Sequence, residues 1–126
     1  MMELSVALVD FLGERHLAVL ATQRSDGSPH AVPVGFTYAD GRVCVITAGS
    51  TVKAANARRG GRASVTQIDG ARWVTFEGPV RVCDDADSVA AAVAAYARRY
   101  RQPKERDDRV VIEIEVDRVM CNSRLQ

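Results

Sequence analysis

The chain has 126 residues, 17 of them basic and 16 acidic, for a formal net charge of +1. That length suits one domain over residues 1–126 with a single core, and is too short for a dinucleotide-binding half plus a substrate domain. Balanced charge argues against a general nucleic-acid binder, and no apolar run approaches bilayer-spanning length. The opening residues lack a basic n-region and a cleavage site, so a cytoplasmic protein without a signal peptide is expected.

In chain order, Leu4, Val6, Ala7, Leu8, Phe11 and Leu12 have the spacing of a short amphipathic helix stopped by Gly13. His16 to Gln23 is nearly all apolar, as in a strand covered on both faces. Ser25-Asp-Gly-Ser28 is a turn. Residues 30–38 alternate: Val32, Val34, Phe36 and Tyr38 point one way, and Ala31, Pro33, Gly35 and Thr37 the other. Asp40-Gly41 turns into a third strand over Arg42 to Ala48. A short helix over 51–59 ends at Gly60-Gly61, and a strand over 62–69 turns at Asp69-Gly70 into a long strand from Ala71. Gly78-Pro79 interrupts that strand as a bulge or barrel corner. Asp84, Asp85 and Asp87 cap a helix whose stripe is Val89, Val93, Tyr96 and Tyr100, and Pro103 ends it. After a hydrophilic loop over 101–109, Val110, Ile112, Ile114 and Val116 mark a last half-exposed strand. About six strands joined by tight turns make a mainly antiparallel sheet, which at this size must curl to protect its edges. The expected fold is a small β-barrel with peripheral helices.

The segment Ile46 to Arg59 carries the most chemical information. It reads as a strand end, a Gly49-Ser-Thr51 turn and a helix capped by Ser50 or Thr51. Lys53 and Asn56, three apart, share a helix face, and Arg58 and Arg59 follow one turn later. Free N–H groups, a helix N-terminus and basic side chains describe a phosphate site beside a strand end. The alternative is a solvated basic helix. Ala31, Pro33 and Gly35 leave backbone open to a flat ring, or simply fill a barrel interior. If the second and third strands pair across Asp40-Gly41, Thr47 and Ala48 lie beside that small face. Gln67 can donate to and accept from a heterocycle, and Trp73 in the same hairpin can stack on a ring or sit at an interface. Arg72 is either a rim charge or an anion contact.

Catalytic sets are absent from the pattern. The three cysteines, Cys44, Cys83 and Cys121, form no C-x-x-C pair, and Cys44 and Cys83 read as buried small apolar residues. The histidines His16 and His30 form no metal spacing, so no metal is expected, and no nucleophile elbow is present. A protein poor in catalytic side chains but equipped with an anion site suits chemistry carried by a phosphorylated cofactor.

Taken together, Leu20-Ala-Thr22, Gly27 to Phe36, Ser50-x-x-Lys53-x-x-Asn56 and Glu77-Gly78 resemble the flavin and deazaflavin oxidoreductase superfamily. This is the split β-barrel, FMN-binding-like group related to pyridoxamine 5′-phosphate oxidase. Gln67-x-Asp-Gly-Ala-Arg-Trp73, Arg98-Arg-Tyr-Arg-x-Pro103 and Arg109-Val-Val-Ile-Glu113 narrow the resemblance to mycobacterial-type biliverdin reductases that use the deazaflavin coenzyme F420. The resemblance implies a six-stranded split barrel and a homodimer with the cofactor at the subunit interface. It implies backbone contacts from His30, Ala31, Val32 and Pro33, and phosphate contacts from Thr47, Ala48, Gly49, Ser50, Thr51 and Lys53. It further implies ring contacts around Gln67, Arg72 and Trp73. Members often carry a glycine pair before the lysine, where this chain reads Ala48-Gly-Ser-Thr51. The expected activity is hydride transfer from reduced F420 to a conjugated small-molecule acceptor such as biliverdin, with solvent as the default proton source. An FMN-binding oxidase-like enzyme and a non-catalytic flavin, deazaflavin or tetrapyrrole carrier are the alternatives. Neither nucleic acid nor membrane is an expected partner.

Overall fold

A computed structural model describes residues 3–126. Helix α1 (Val6–Gly13) begins where the Ser5 hydroxyl accepts from Leu8 N–H at 3.0 Å, and it buries Leu8 and Phe11. Strand β1 (Ala18–Gln23) buries Ala18, Leu20 and Thr22 and leaves Val19 and Gln23 exposed. One face of this apolar strand is therefore uncovered within the chain, unlike the doubly covered strand its sequence suggests.

Among the described residues eight strands form where about six were expected. One addition arises because residues 30–38 are not continuous: β2 (Pro29–Val34) pairs with β1, and β3 (Thr37–Ala39) pairs with β4 (Arg42–Ala48). The backbone at Phe36 is held elsewhere. Its N–H donates to Tyr100 Oη at 3.2 Å and its carbonyl accepts from Arg99 Nη1 at 2.6 Å. Both partners belong to the end of helix α3 (Ala86–Arg99), which is capped by Asp85 accepting from Ser88 N–H. The second and third strands of the sequence reading thus do not form one hairpin along their length.

After α2 (Val52–Arg58), β5 (Arg62–Asp69) pairs on both sides, with β1 and with the long β6 (Arg72–Cys83). β6 runs unbroken through Gly78-Pro79 but changes partner there. Val74 to Glu77 face β8 (Arg118–Cys121), the second unexpected strand, and Val80 to Cys83 face β7 (Arg109–Glu115). The corner is built for glycine, because a Cβ at position 78 would run into the Glu115 carbonyl. A 3-10 turn, Ser123–Leu125, follows β8.

All ladders are antiparallel, and the main path is β2-β1-β5-β6-β7-β4-β3. Its two ends, β2 and β3, are consecutive in the chain. From Val34 to Thr37 the backbone reaches at most about 11 Å, so the path must curl back on itself. No ladder joins β2 to β3 or β4, which leaves the curled sheet split there. Leu20, Phe36, Val43, Val45, Val65, Val74, Phe76, Ile112 and Ile114 fill the inside, and Tyr38 stacks on Phe76 with ring centroids 4.9 Å apart. Burying a side chain such as Phe76 stabilises the fold by about 3–5 kcal/mol relative to alanine.

Candidate functional site

The split in the sheet holds a cavity of about 360 Å³. Pro33, Val34 and Gly35 at the end of β2 form one wall, and Ile46, Thr47 and Ala48 at the end of β4 form another. Thr51 and Lys53 from the start of α2 close one side, and Tyr96, Pro103, Arg106 and Arg109 close the other. Ladder pairing does not create this meeting. The missing ladder does, because the diverging strand ends leave a cleft between them.

The local fold explains why these groups face the cleft. Thr51 caps α2: its hydroxyl accepts from Ala54 N–H at 3.3 Å and donates to the Ala48 carbonyl at 3.0 Å. Thr47 Oγ1 lies 3.2 Å from Thr51 Oγ1. Lys53 follows in the first turn, partly buried, and burial alone pushes its pKa down, with no neighbouring charge opposing that shift. Among the described residues its ammonium takes part in no ion pair. Arg106 pairs with Asp108 at 2.9 Å, and Arg109 Nη2 donates to the Lys104 carbonyl at 2.7 Å. The loop over 101–109 thereby brings two guanidinium groups to the same cleft.

Of the residues singled out in the sequence, Pro33, Thr47, Ala48, Thr51 and Lys53 line the cavity. Gly49 and Ser50 form the adjoining turn, but the Gly49 N–H is already used, donating to the Asp108 carbonyl at 2.7 Å. Gly49 O accepts from Arg58 Nη1 at 2.7 Å, and Ser50 is exposed. Asn56 does not share the open face of Lys53. It is buried, and its Nδ2 donates to Thr22 Oγ1 at 3.1 Å. His30 sits opposite Thr22 with a buried Nδ1 lacking a partner, Ala31 lies on the exposed side of the sheet, and Val32 packs on the core.

The 67–73 hairpin is also elsewhere in this chain. Gln67 is fully buried, donating to the Phe11 carbonyl at 3.0 Å and accepting from Arg99 Nη2. Both ends of its amide are satisfied internally, which differs from the expectation that it faces a ring. Arg72 donates to Glu14 Oε2 at 2.6 Å and Oε1 at 2.9 Å and pairs with Asp69, while its guanidinium lies 4.6 Å from the Phe11 ring centroid. This pairing drives the Arg72 pKa up and holds the Glu14 carboxyl at about 2. Trp73 is partly exposed on the outer side of the sheet, opposite Ile68.

Folding adds residues that sequence reasoning did not select: Tyr96, Arg106 and Arg109. Tyr96 appeared in the sequence as part of a packing stripe, and its position relative to Gly35 is the missing clue. A Cβ at Gly35 would lie 2.9 Å from Tyr96 Cε2 and 3.2 Å from Tyr100 Cε2. The flat rings that Gly35 admits are the chain's own tyrosines. Folding also gathers His16, Glu14 and Asp69, with one donor atom each within 4.8 Å. The two carboxylates there are already paired with Arg72. Cys44 is an inert thiol at neutral pH, its pKa pushed up to about 11 by burial and then by Glu113 and Cys83.

The cleft gathers Lys53, Arg106 and Arg109, the hydroxyls of Thr47 and Thr51 and the Tyr96 ring. A profile of the pyridoxamine 5′-phosphate oxidase family matches residues 4–121. The chain is 49% identical over 118 residues to an F420H2-dependent biliverdin reductase of Mycobacterium tuberculosis, covering 91% of this chain and 85% of that protein. A crystal structure of a conserved hypothetical protein, Rv2991 from Mycobacterium tuberculosis, superposes with a TM-score of 0.81 at 25% identity, over 96% of this chain and 84% of that one. A structure named as an F420 reductase superposes with a TM-score of 0.73 at 21% identity, over 88% of this chain and 94% of that one, and shows the shared fold. With the profile matched over nearly its whole length and a split, curled antiparallel sheet, this chain belongs to the pyridoxamine 5′-phosphate oxidase family.

Proposed function

We propose that the protein is an F420H2-dependent oxidoreductase that reduces a conjugated acceptor of the biliverdin kind. The observation that carries the reading is the partly buried, unneutralised Lys53 beside Thr47 and Thr51. A desolvated ammonium without a partner is unfavourable unless an anion arrives, and a phosphate suits the site, with the Thr47 hydroxyl able to turn from Thr51 towards it. Arg109, which takes part in no ion pair among the described residues, adds positive charge beyond what one phosphate requires, which fits a carboxylate of the lactyl–glutamyl tail of F420, while Arg106 is paired with Asp108. The 49% identity to an F420H2-dependent biliverdin reductase supports the same choice.

When bound, the deazaflavin supplies the hydride from its C5 carbon, so the protein's task is binding, orientation and exclusion of side reactions. In this reading Lys53 and Thr47 hold the phosphate, Thr51 fixes the turn that positions them, and Pro33 to Gly35 and Tyr96 shape the space beside it. The proton that accompanies the hydride comes from solvent. Arg72 does not supply it, because its pairing with Glu14 and Asp69 holds the guanidinium protonated.

The reading includes a homodimer with the cofactor at the interface. Val19, Ile68, Trp73 and Met120 are all exposed on the outer side of the sheet, next to the small residues Ala21 and Ala31. A second copy packed there buries that apolar surface and brings Trp73 to the ring side of the partner's cavity. The same reading places the protein in the cytoplasm, where its three free cysteines stay reduced, with neither nucleic acid nor membrane as partner. No helix among the described residues is long and apolar enough to cross a membrane.

Fluorescence titration of the purified protein with F420 and with FMN tests the proposal. Tight F420 binding, weak FMN binding and reduction of biliverdin by F420H2 are expected. Preferential FMN binding moves the protein to the flavin-oxidase side of its family, and binding of neither removes the cofactor assignment.

A further inference from the structure

A second cavity, of about 420 Å³, shares Tyr96 with the first and is lined by Arg15, His16, Leu17, Tyr96, Tyr100 and Arg101. Its size falls in the range of small-molecule pockets. Tyr96 and Tyr100 form an aromatic wall with ring centroids 4.9 Å apart and planes tilted by 32°. The Tyr100 hydroxyl is held by the chain, donating to the His16 carbonyl at 2.6 Å, so the ring has a fixed position. Arg15 lies close enough to Tyr100 to act on its ionisation. Arg15 and Arg101 take part in none of the ion pairs among the described residues. Two carboxylates, Glu14 and Asp69, lie beside His16 and share the single guanidinium of Arg72, so neither pairs with Arg15 or Arg101.

We infer that this second cavity binds the acidic arms of the acceptor, which is a planar conjugated molecule bearing two carboxylates. Arg15 and Arg101 take one carboxylate each or share one, as planar guanidinium groups do, and the tyrosine pair receives the flat conjugated body. Tyr96 is the residue both cavities share: the cofactor phosphate and tail occupy the first, and the acceptor's charged arms the second. The two anionic molecules are thereby kept in separate basic subsites, which lowers their mutual repulsion while the reacting parts approach. The inference rests on the reading that the acceptor is a conjugated molecule of the biliverdin kind.

The test uses biliverdin, which has two carboxylate arms, and its dimethyl ester, which has none free. Each is titrated into the full chain by absorbance difference, both without cofactor and with saturating oxidised F420. The free acid should bind at least about tenfold more tightly than the ester, since each charged contact contributes roughly that factor. Raising salt should erode the difference. The double variant Arg15→Gln, Arg101→Gln should lose the preference for the acid while its F420 affinity stays unchanged, and Arg15→Lys, Arg101→Lys should retain part of it. Equal binding of acid and ester by the wild type, no binding of either, or an undiminished preference in the glutamine variant would overturn the inference. Failure to bind F420 would instead undo the proposed function, and the acid-over-ester difference without cofactor would still decide this site.

Discussion

Two clusters of basic side chains in this molecule have opposite surroundings. Around Arg72 the chain supplies its own anions: Glu14 and Asp69 accept from one guanidinium, and His16 stands beside both carboxylates. Lys53 takes part in no ion pair among the described residues, although Asp108 pairs with Arg106 in the same cleft, and burial pushes the ammonium towards its neutral form. Arg99 is an intermediate case, a partly buried cation satisfied by neutral acceptors, the Glu14 and Phe36 carbonyls and Gln67 Oε1. A basic residue in a fold is thus a binding residue when the fold leaves it unsatisfied, and a structural one when the fold completes its coordination. In the sequence Lys53 reads as a phosphate contact and Arg72 as either a rim charge or an anion contact, and the fold separates the two by this criterion.

The comparison can be broken on its structural side first. Gln67→Ala removes the amide that joins Phe11 to Arg99 and leaves the Arg99 guanidinium short of an acceptor. A loss of about 3 kcal/mol is expected in urea unfolding. A change under about 1 kcal/mol would mean that the network carries little of the fold. Gly35→Ala should cost somewhat less, about 1–3 kcal/mol, because its Cβ presses on the Tyr96 and Tyr100 rings. The same variant narrows the cleft, so F420 affinity should fall with stability. Unchanged affinity would detach Tyr96 from the cofactor site.

The smallest expected effect is the pH dependence of the Glu14–Arg72 pair. The Glu14 carboxyl titrates at about 2 in the folded chain against an ordinary 4.5. Its contribution is therefore fully present above about pH 4.5 and disappears as the pH falls towards 2. Glu14→Gln should flatten the loss of stability across that window, and high salt should do the same in the wild type because the pair is largely exposed. An acid limb identical in Glu14→Gln would show that other carboxylates set it.

The alternation of Val110 to Val116, the Asp40-Gly41 and Asp69-Gly70 turns and the caps at Thr51 and Asp85 made the antiparallel β architecture legible, because each is a local signal. The break at Phe36 was not legible. It depends on Arg99 and Tyr100, more than sixty positions away, which capture a backbone that otherwise reads as continuous strand. β8 is too short to announce itself and is defined by pairing with β6. In the candidate site, Thr47 to Lys53 was legible because strand end, turn and helix cap are contiguous. Arg106 and Arg109 were hidden in a hydrophilic loop, and their role emerges only where that loop closes on the cleft. Gln67 and Asn56 were chosen for their chemistry, and burial gave both to the interior.

The most direct test of the account is the Lys53→Ala variant, measured for F420 affinity and for unfolding free energy in the same preparation. A partly desolvated ammonium that waits for a phosphate should lose affinity by about 10- to 100-fold when removed, while the free protein keeps its stability or gains slightly. Undiminished affinity for F420, or a loss of affinity matched by a collapse in stability, would contradict the claim that Lys53 is held open for the cofactor's phosphate.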